Sequence, residues 1–527
     1  MLGFEGENAR EKVIVLLTMC FALAMAMLDN TVVNVALPSI QRHLGAGFSE
    51  LQWVVDGYVL AFASLLLTGG IIGDRYGRKK MFLTGVGVFT VFSFLCGVSQ
   101  NPSQLIAFRA LQGVGGALLI PGTLSILTVT FPVNERAKAL GIWAGVSGIA
   151  LALGPTLGGY MVEHLGWQSV FFLNVPIGIA ALIVAVRTVT ESVSEVERQL
   201  DVWGLVLGTA ALFFVTYGLI EANQLGWGSA RIVGSFALFA VFLVTFLWWE
   251  LRNPHAMMPM RYFRNPAFSA GNAVAFSIGL GMFATFFFLT IYMQTIHAYS
   301  PFRAGAAFLP LTLAIIATAP NAGRYASNHG SRAPMTYGLI LTGTGLLLLG
   351  LLLTPTTSYW VLFPIYLVMG HGMGATMAPM TAAVMNSVGP QRAGLGSAMT
   401  NTSREVGGVL GIALLGAILT TQLKSAFAPA VANLGLSVPQ LEVISDAAKH
   451  GSLVTTGIGL APGQASALQT AFDDAFMKGF HPALVFAGAI VLFAAVIANR
   501  LIPGRETVAE AHAAAQASDA EPVAVEM

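Results

Sequence analysis

The sequence predicts an all-α polytopic membrane protein with fourteen transmembrane helices, arranged as six, two and six. Three observations predict it. Of 527 residues, 55% are apolar and only 10% are charged, against roughly a quarter charged in a soluble globular chain. Mean hydropathy is +0.73. The apolar residues are also gathered into repeated runs of about 20, the length of helix that crosses about 30 Å of hydrocarbon.

The runs fall at 13–37, 51–72, 80–98, 103–130, 139–161 and 167–187, then at 202–221 and 231–250. Six more follow at 267–293, 304–322, 334–354, 358–385, 395–421 and 480–501. Pro121, Pro155, Pro310 and Pro379 lie inside these runs, as membrane helices allow when neighbours satisfy the freed carbonyls. The first run is too long, and lacks the small-residue cleavage site, to be a removed signal peptide. With the N-terminus cytoplasmic, the inner loops carry about three times as many Lys and Arg as the outer ones. Both termini are then cytoplasmic and the membrane is the cell membrane.

The organisation read from this pattern is an N-terminal six-helix bundle (1–190), two additional helices with linkers (191–266), expected to be peripheral, and a C-terminal six-helix bundle (267–503). A long outer loop is expected at 422–479, made of short amphipathic helices or mobile chain over the outer mouth. The tail 504–527 has too few large apolar residues for a core and reads as disordered. A weak internal repeat joins the halves: GGIIGDRYGRKK (69–80) and AGRYASNHGSR (322–332) each put glycines and basic residues in the second loop of a half. Paired halves around a central pathway are the usual build of a secondary transporter.

Composition also excludes. Net charge is +1 from 26 basic and 25 acidic residues, so no basic excess exists to displace counterions from nucleic acid. Cys20 and Cys96 lie within apolar runs, without the cluster a metal site requires. No GxxxxGK[ST] segment follows a strand, which excludes ATP-driven transport by this chain. No enzyme activity, metal, nucleotide or prosthetic group is implied.

Three carboxylates fall well inside spans: Asp29, Asp56 and Glu405. Each costs several kcal/mol there, and such residues usually mark ion or substrate pathways. At about 1.5 Å per residue, Asp29 lies roughly 13 Å, Asp56 roughly 8 Å and Arg109 roughly 9 Å below the outer ends of their helices. A carboxylate that alternates between a desolvated place and an arginine neighbour can take up and release a proton. Asp29, Arg109 and Asp56 are therefore the proton-coupling candidates, the other reading being a static pair between helices. Glu405 and His371 lie near the midplane of the second half and, with Asn401, are the substrate-binding candidates. Arg404 precedes Glu405, but consecutive residues point about 100° apart on a helix and need not pair. For His371 the other reading is an imidazole hydrogen-bonded across a helix interface.

Several segments together resemble the major facilitator superfamily, specifically its fourteen-helix drug/proton antiporter family. LDNTVVNVALP (28–38) is similar to that family's first-helix signature, with its acidic residue at Asp29. GDRYGRKK resembles the helix 2–3 loop; the resemblance implies a cytoplasmic latch between the halves built on Gly70, Asp74, Arg75, Gly77 and Arg78. RALQGVGGALLIPG (109–122) resembles the fourth-helix motif whose arginine, here Arg109, is assigned to proton transfer. GIWAGVSGIALALGPTLGG (141–159) resembles the fifth-helix antiporter motif, with Gly154, Pro155, Gly158 and Gly159 in place. Ala150, Gln168 and Asn328 depart from the family pattern.

The resemblance implies the major facilitator fold and a proton-coupled secondary exporter of amphipathic small molecules such as drugs, antibiotics and dyes. Its partners would be the small-molecule substrate, protons and the bilayer, in a monomer. A proton-driven flippase for a lipid or lipid-like metabolite is the alternative. An ion channel finds no ring-forming selectivity segment.

Overall fold

In hydrocarbon a backbone N–H or C=O finds no water, so every span must satisfy its own groups, and helices are the result. The computed structural model describes residues 9–193, 199–388, 393–432 and 460–504, with single positions between 434 and 444. The 504–527 tail falls almost wholly outside the described residues. No strand occurs among the described residues.

The first half comprises α1 (Ala9–Leu44), α2 (Phe48–Tyr76), α3 (Arg78–Gly97), α4 (Pro102–Thr130), α5 (Val133–Leu165) and a sixth span. That sixth span is split into α6 (Ser169–Phe172) and α7 (Asn174–Thr188). Next come α8 (Val202–Leu225) and α9 (Ala230–Arg252). The second half holds α10 (Pro266–Ile291), α11 (Pro301–Ala307) with α12 (Leu309–His329), α13 (Arg332–Leu352) and α14 (Tyr359–Val388). It ends with α15 (Ala393–Ala432) and α16 (Pro462–Leu501). Among the described residues, thirteen spans are individually long and apolar enough to cross a membrane, and the bent α5 brings the number to fourteen. The protein is a multi-pass membrane protein.

Caps mark several helix starts. Asn101 accepts from Gln104 N–H at 2.9 Å, and Asn265 accepts from Ala267 N–H at 2.9 Å; a side-chain oxygen there satisfies an otherwise orphan donor. The repeat shows in the backbone. Gly77, at φ +114°, ends α2, and Gly330, at φ +88°, ends α12, the same turn in the second loop of each half where only glycine is unstrained.

Two expectations are corrected. The long outer connection is not 422–479: α15 runs on to Ala432 and α16 starts at Pro462. The extensions are amphipathic, burying Phe427, Val431, Phe472 and Phe476 while Lys478 and Gln422 face out, so average hydropathy drops before the helix ends. Nor is the first additional helix peripheral. α8 lies over the seam between the halves and is bonded to both. Trp53 Nε1 of α2 donates to Glu221 Oε1 at 2.9 Å, and Asn223 Nδ2 donates to Ala417 O of α15 at 3.0 Å.

Hydrogen bonds between the halves gather on the face opposite the N-terminus. Gln52 Nε2 of α2 donates to Ile412 O of α15 at 2.8 Å, and Gln294 Nε2 donates to Val35 O of α1 at 2.9 Å. Thr156 Oγ1 of α5 donates to Gly305 O of α11 at 3.3 Å, and Phe302 N–H to Glu163 Oε2 at 3.0 Å. Toward the N-terminal face, the positions where Gly141, Gly145 and Gly148 of α5 would carry a Cβ have no neighbour within 4 Å. Among the described residues, the hydrogen bonds between the halves thus close the far face.

Candidate functional site

The first half's polar core is built by four helices around Asp29. Arg109 of α4 donates through Nη1 to Asp29 Oδ2, and both side chains are buried, at 1% and 0% exposure. The same nitrogen reaches Gln112 Oε1 at 2.9 Å, one turn on in α4, and Arg109 Nε donates to Val54 O of α2 at 3.1 Å. Asp29 Oδ1 accepts from Gln112 Nε2 and from Asn174 Nδ2, each at 3.0 Å. Asn174 also donates to Ser93 Oγ of α3 at 2.9 Å. The Arg109 guanidinium lies 4.2 Å from the centroid of the Tyr58 ring, a cation–π contact that strengthens once desolvated.

So the structure brings Asp29 and Arg109 together. Sequence reasoning missed Gln112, Asn174, Ser93 and Tyr58 as members of the network. The signal was present for two of them: an amide inside an apolar span has to find a partner, just as a charge does. Asn174 opens α7 directly after the break at Leu173, which frees its side chain to point at Asp29.

Asp56 of α2 is fully buried, and neither carboxyl oxygen has a hydrogen-bond partner among the described residues. It is not drawn into the Asp29 network. An ionised carboxylate in such a place bears a desolvation cost of several kcal/mol that its acid form avoids.

In the second half, Glu405 is buried at 1% exposure. Its partner, which the sequence left open, is Arg404: Arg404 Nη2 donates to Glu405 Oε1 at 2.9 Å, because a long guanidinium stem can turn back along the helix. Glu405 Oε2 has no partner among the described residues. Asn401, one turn earlier, donates to Ser397 O at 3.0 Å and is half-buried. His371 lies on the exposed face of α14, in register with exposed Trp360 and Leu367. Its Nδ1 is 2.8 Å from Thr318 Oγ1 of α12, the cross-helix partnership that formed the second reading of this residue.

The near-face turn holds the α2–α3 motif. Arg78 Nε and Nη2 donate to Asp74 Oδ1 at 3.0 and 2.8 Å. Glu191, beyond α7, accepts from the N–H groups of Lys79 and Lys80 at 3.0 and 3.2 Å. None of these contacts reaches the second half, so in this arrangement the segment is not fastened to it by them. Gly70 faces Pro121 of α4.

The α5 motif serves two neighbours. A Cβ at Gly154 or Gly158 would strike Thr31 or Val32 of α1, beside Asp29. One at Gly159 would strike the Pro301 carbonyl, while Gly305 lies against the Pro155 carbonyl. Small residues allow this backbone approach in lipid, and the same stretch that frames Asp29 also forms the far-face seal.

The Major Facilitator Superfamily model matches residues 19–412. The chain belongs to the Major Facilitator Superfamily. Among curated members of the superfamily, it is 35% identical to the "Tetracenomycin C resistance and export protein" of Streptomyces glaucescens, over 92% of this chain and 90% of that one. It is 36% identical to the "Methylenomycin A resistance protein" of Bacillus subtilis, over 77% and 87% of the two chains. Its fold matches a solved bacterial homolog of the human lysosomal transporter Spinster in an inward-facing, unoccupied conformation, with a TM-score of 0.61 at 16% identity. That match covers 95% of this chain and 100% of the other.

Proposed function

We propose that this superfamily member is a proton-coupled exporter of amphipathic small molecules, drugs and antibiotics among them, working by alternating access in the plasma membrane with both termini cytoplasmic. The near face is then the cytoplasmic one, and the hydrogen bonds between the halves close the outer one. The observation that carries the reading is the buried Asp29–Arg109 pair, packed against the α5 stretch that seals the far face. A proton on Asp29 removes the charge that Arg109 compensates and so alters the contacts of α1, α2, α4 and α7 together. Relatives named for antibiotic resistance and export support the substrate class.

In this reading Asp29 and Arg109 carry the coupling, and Asp56 is a second proton carrier on α2. Glu405, with Asn401 beside it, accepts cationic substrate, and His371 supports α14 through Thr318. Asp74, Arg75, Gly77 and Arg78 form the cytoplasmic latch when the halves close on that side. Gly154, Pro155, Gly158 and Gly159 form the hinge and seal on the other. The test is proton release from purified protein when a cationic dye is added at constant pH. Stoichiometric release supports coupling, and dye binding without release refutes it.

A further inference from the structure

Below the bonds that fasten α8 to both halves, α8 and α9 stand off from the seam and leave a cavity of about 510 Å³, within the range of small-molecule sites. Its walls come from α2 (Ala63, Leu67), from α8 and α9 (Leu212, Phe246), and from α10 and α15 (Phe276, Met399). The segment after α9 closes it with Met257 and Met258. No charged side chain is among the lining residues.

The Met257–Met258 wall is built, not slack. Asp201 Oδ2 accepts from Met257 N–H at 3.1 Å and Oδ1 from Trp249 Nε1 at 2.7 Å, while Glu250 Oε2 accepts from Met258 N–H at 2.8 Å. Burial opposes ionisation of Asp201, but the hydrogen bonds from Gly204, Trp249, Met257 and Asn253 outweigh it and hold its carboxyl below the ordinary value. The polar groups of the lining are the hydroxyls of Ser64, Thr209, Ser269, Thr402 and Ser403 and the amide of Asn272. Ser64 Oγ of α2 and Thr402 Oγ1 of α15, one from each half, are buried atoms without a partner among the described residues. Buried hydroxyls are ordinarily bonded, and a cavity whose wall is mainly apolar favours an apolar ligand.

We propose that this cavity is a second ligand site, taking an uncharged lipophilic chain with one hydroxyl or carbonyl, supplied by the bilayer, whose polar atom is received by Ser64 and Thr402. A charged ligand is disfavoured because nothing in the wall compensates it. The chain arrives from the lipid side, since α9 turns Leu238 and Val244 outward at 42% and 66% exposure. Seated there, it touches α2 of one half and α15 of the other at once.

The test uses the full chain in phosphatidylethanolamine/phosphatidylglycerol nanodiscs with a long-chain alcohol carrying a mid-chain diazirine. Adducts located by peptide mass spectrometry are expected on Leu212, Phe246 and Met399, and unlabelled alcohol should compete. Thr209→Trp, which fills the cavity, should lower these adducts by about tenfold, since excluding two methylenes already costs that much. Adducts on Leu238 and Val244 should not change. If that variant does not fold, Ser64→Ala with Thr402→Val keeps most of the volume, and labelling should fall about fivefold with an unchanged melting curve. Adducts spread evenly over the lipid-facing helices, or insensitive to the variants, overturn the proposal. So does displacement of the alcohol by an exported cationic dye, which would make the cavity part of the transport route.

Discussion

Asp29 and Arg109, 80 residues apart in the chain, form an ion pair that is closed off from solvent on every side. Truncating one member leaves the other buried and uncompensated, at a cost of about 3–5 kcal/mol. Asp29→Asn should therefore abolish efflux driven by an imposed pH gradient and also lower the melting temperature. The double variant Asp29→Asn with Arg109→Gln removes both charges. It should recover most of the stability and none of the transport. Proteoliposome efflux at the wild-type rate in that double variant would reduce the pair to a scaffold.

Asp56 presents the opposite case, a buried carboxyl with no partner to lose among the described residues. Asp56→Asn should leave the melting temperature unchanged or raise it, because the amide bears a smaller desolvation cost than an ionised acid. Gradient-driven efflux should slow by about tenfold, the effect of roughly 1.4 kcal/mol on the rate-limiting step. Unaltered efflux kinetics across the pH range would remove Asp56 from the proton route.

The far-face seal depends on backbone meeting backbone where Gly305 lies against the Pro155 carbonyl. Gly305→Val introduces branched carbon into that contact and should shift the population toward an arrangement open on the far face. Phe48, buried at 4% exposure beside Phe287, reports it. In a Phe48→Cys background, a membrane-impermeant maleimide added from the far side should react about tenfold faster once Gly305→Val is present. Equal rates would show that the glycine packing does not set the balance between the two arrangements.

Asp74 and Arg78 are paired but partly exposed, at 21% and 17%, and such pairs are worth about 0–1 kcal/mol. Asp74→Asn should thus barely move stability. Turnover should drop while substrate affinity holds, since the carboxylate is needed when the near face closes rather than when substrate binds. Lost affinity with intact turnover would contradict a latch.

The spans were legible because hydrocarbon demands a run of apolar residues whatever the tertiary contacts, and Asp29, Arg109 and Glu405 were legible because a charge in such a run stands out. What hydropathy averages over was not. The α15 and α16 extensions expose Gln422, Asp474 and Lys478 while they bury Phe427, Val431, Phe472 and Phe476, so a window mean hides the helix. The position of α8 over the seam depends on Ser49, Trp53, Glu221 and Asn223 meeting from different helices, which no local pattern encodes. Likewise, the pairing of Arg404 with Glu405 is a rotamer choice made by the surrounding packing.

Glu405 offers two accounts that one experiment separates. Its Oε1 is held by Arg404 while Oε2 has no partner among the described residues, so one lone-pair set is free to receive a cation. If that is its role, protonation and cationic substrate compete for the same carboxylate, and Glu405→Gln weakens cations while sparing neutral compounds. If it serves only to balance Arg404, the amide leaves that guanidinium, 19% exposed, short of its counter-charge. Packing then suffers whatever the substrate is. Efflux of a matched cationic and neutral dye pair, read alongside a melting curve, distinguishes them. We expect about a tenfold loss of apparent affinity for the cation, little change for the neutral dye and a melting temperature close to wild type. Equal losses for both dyes with a lowered melting temperature would make Glu405 a structural residue of α15.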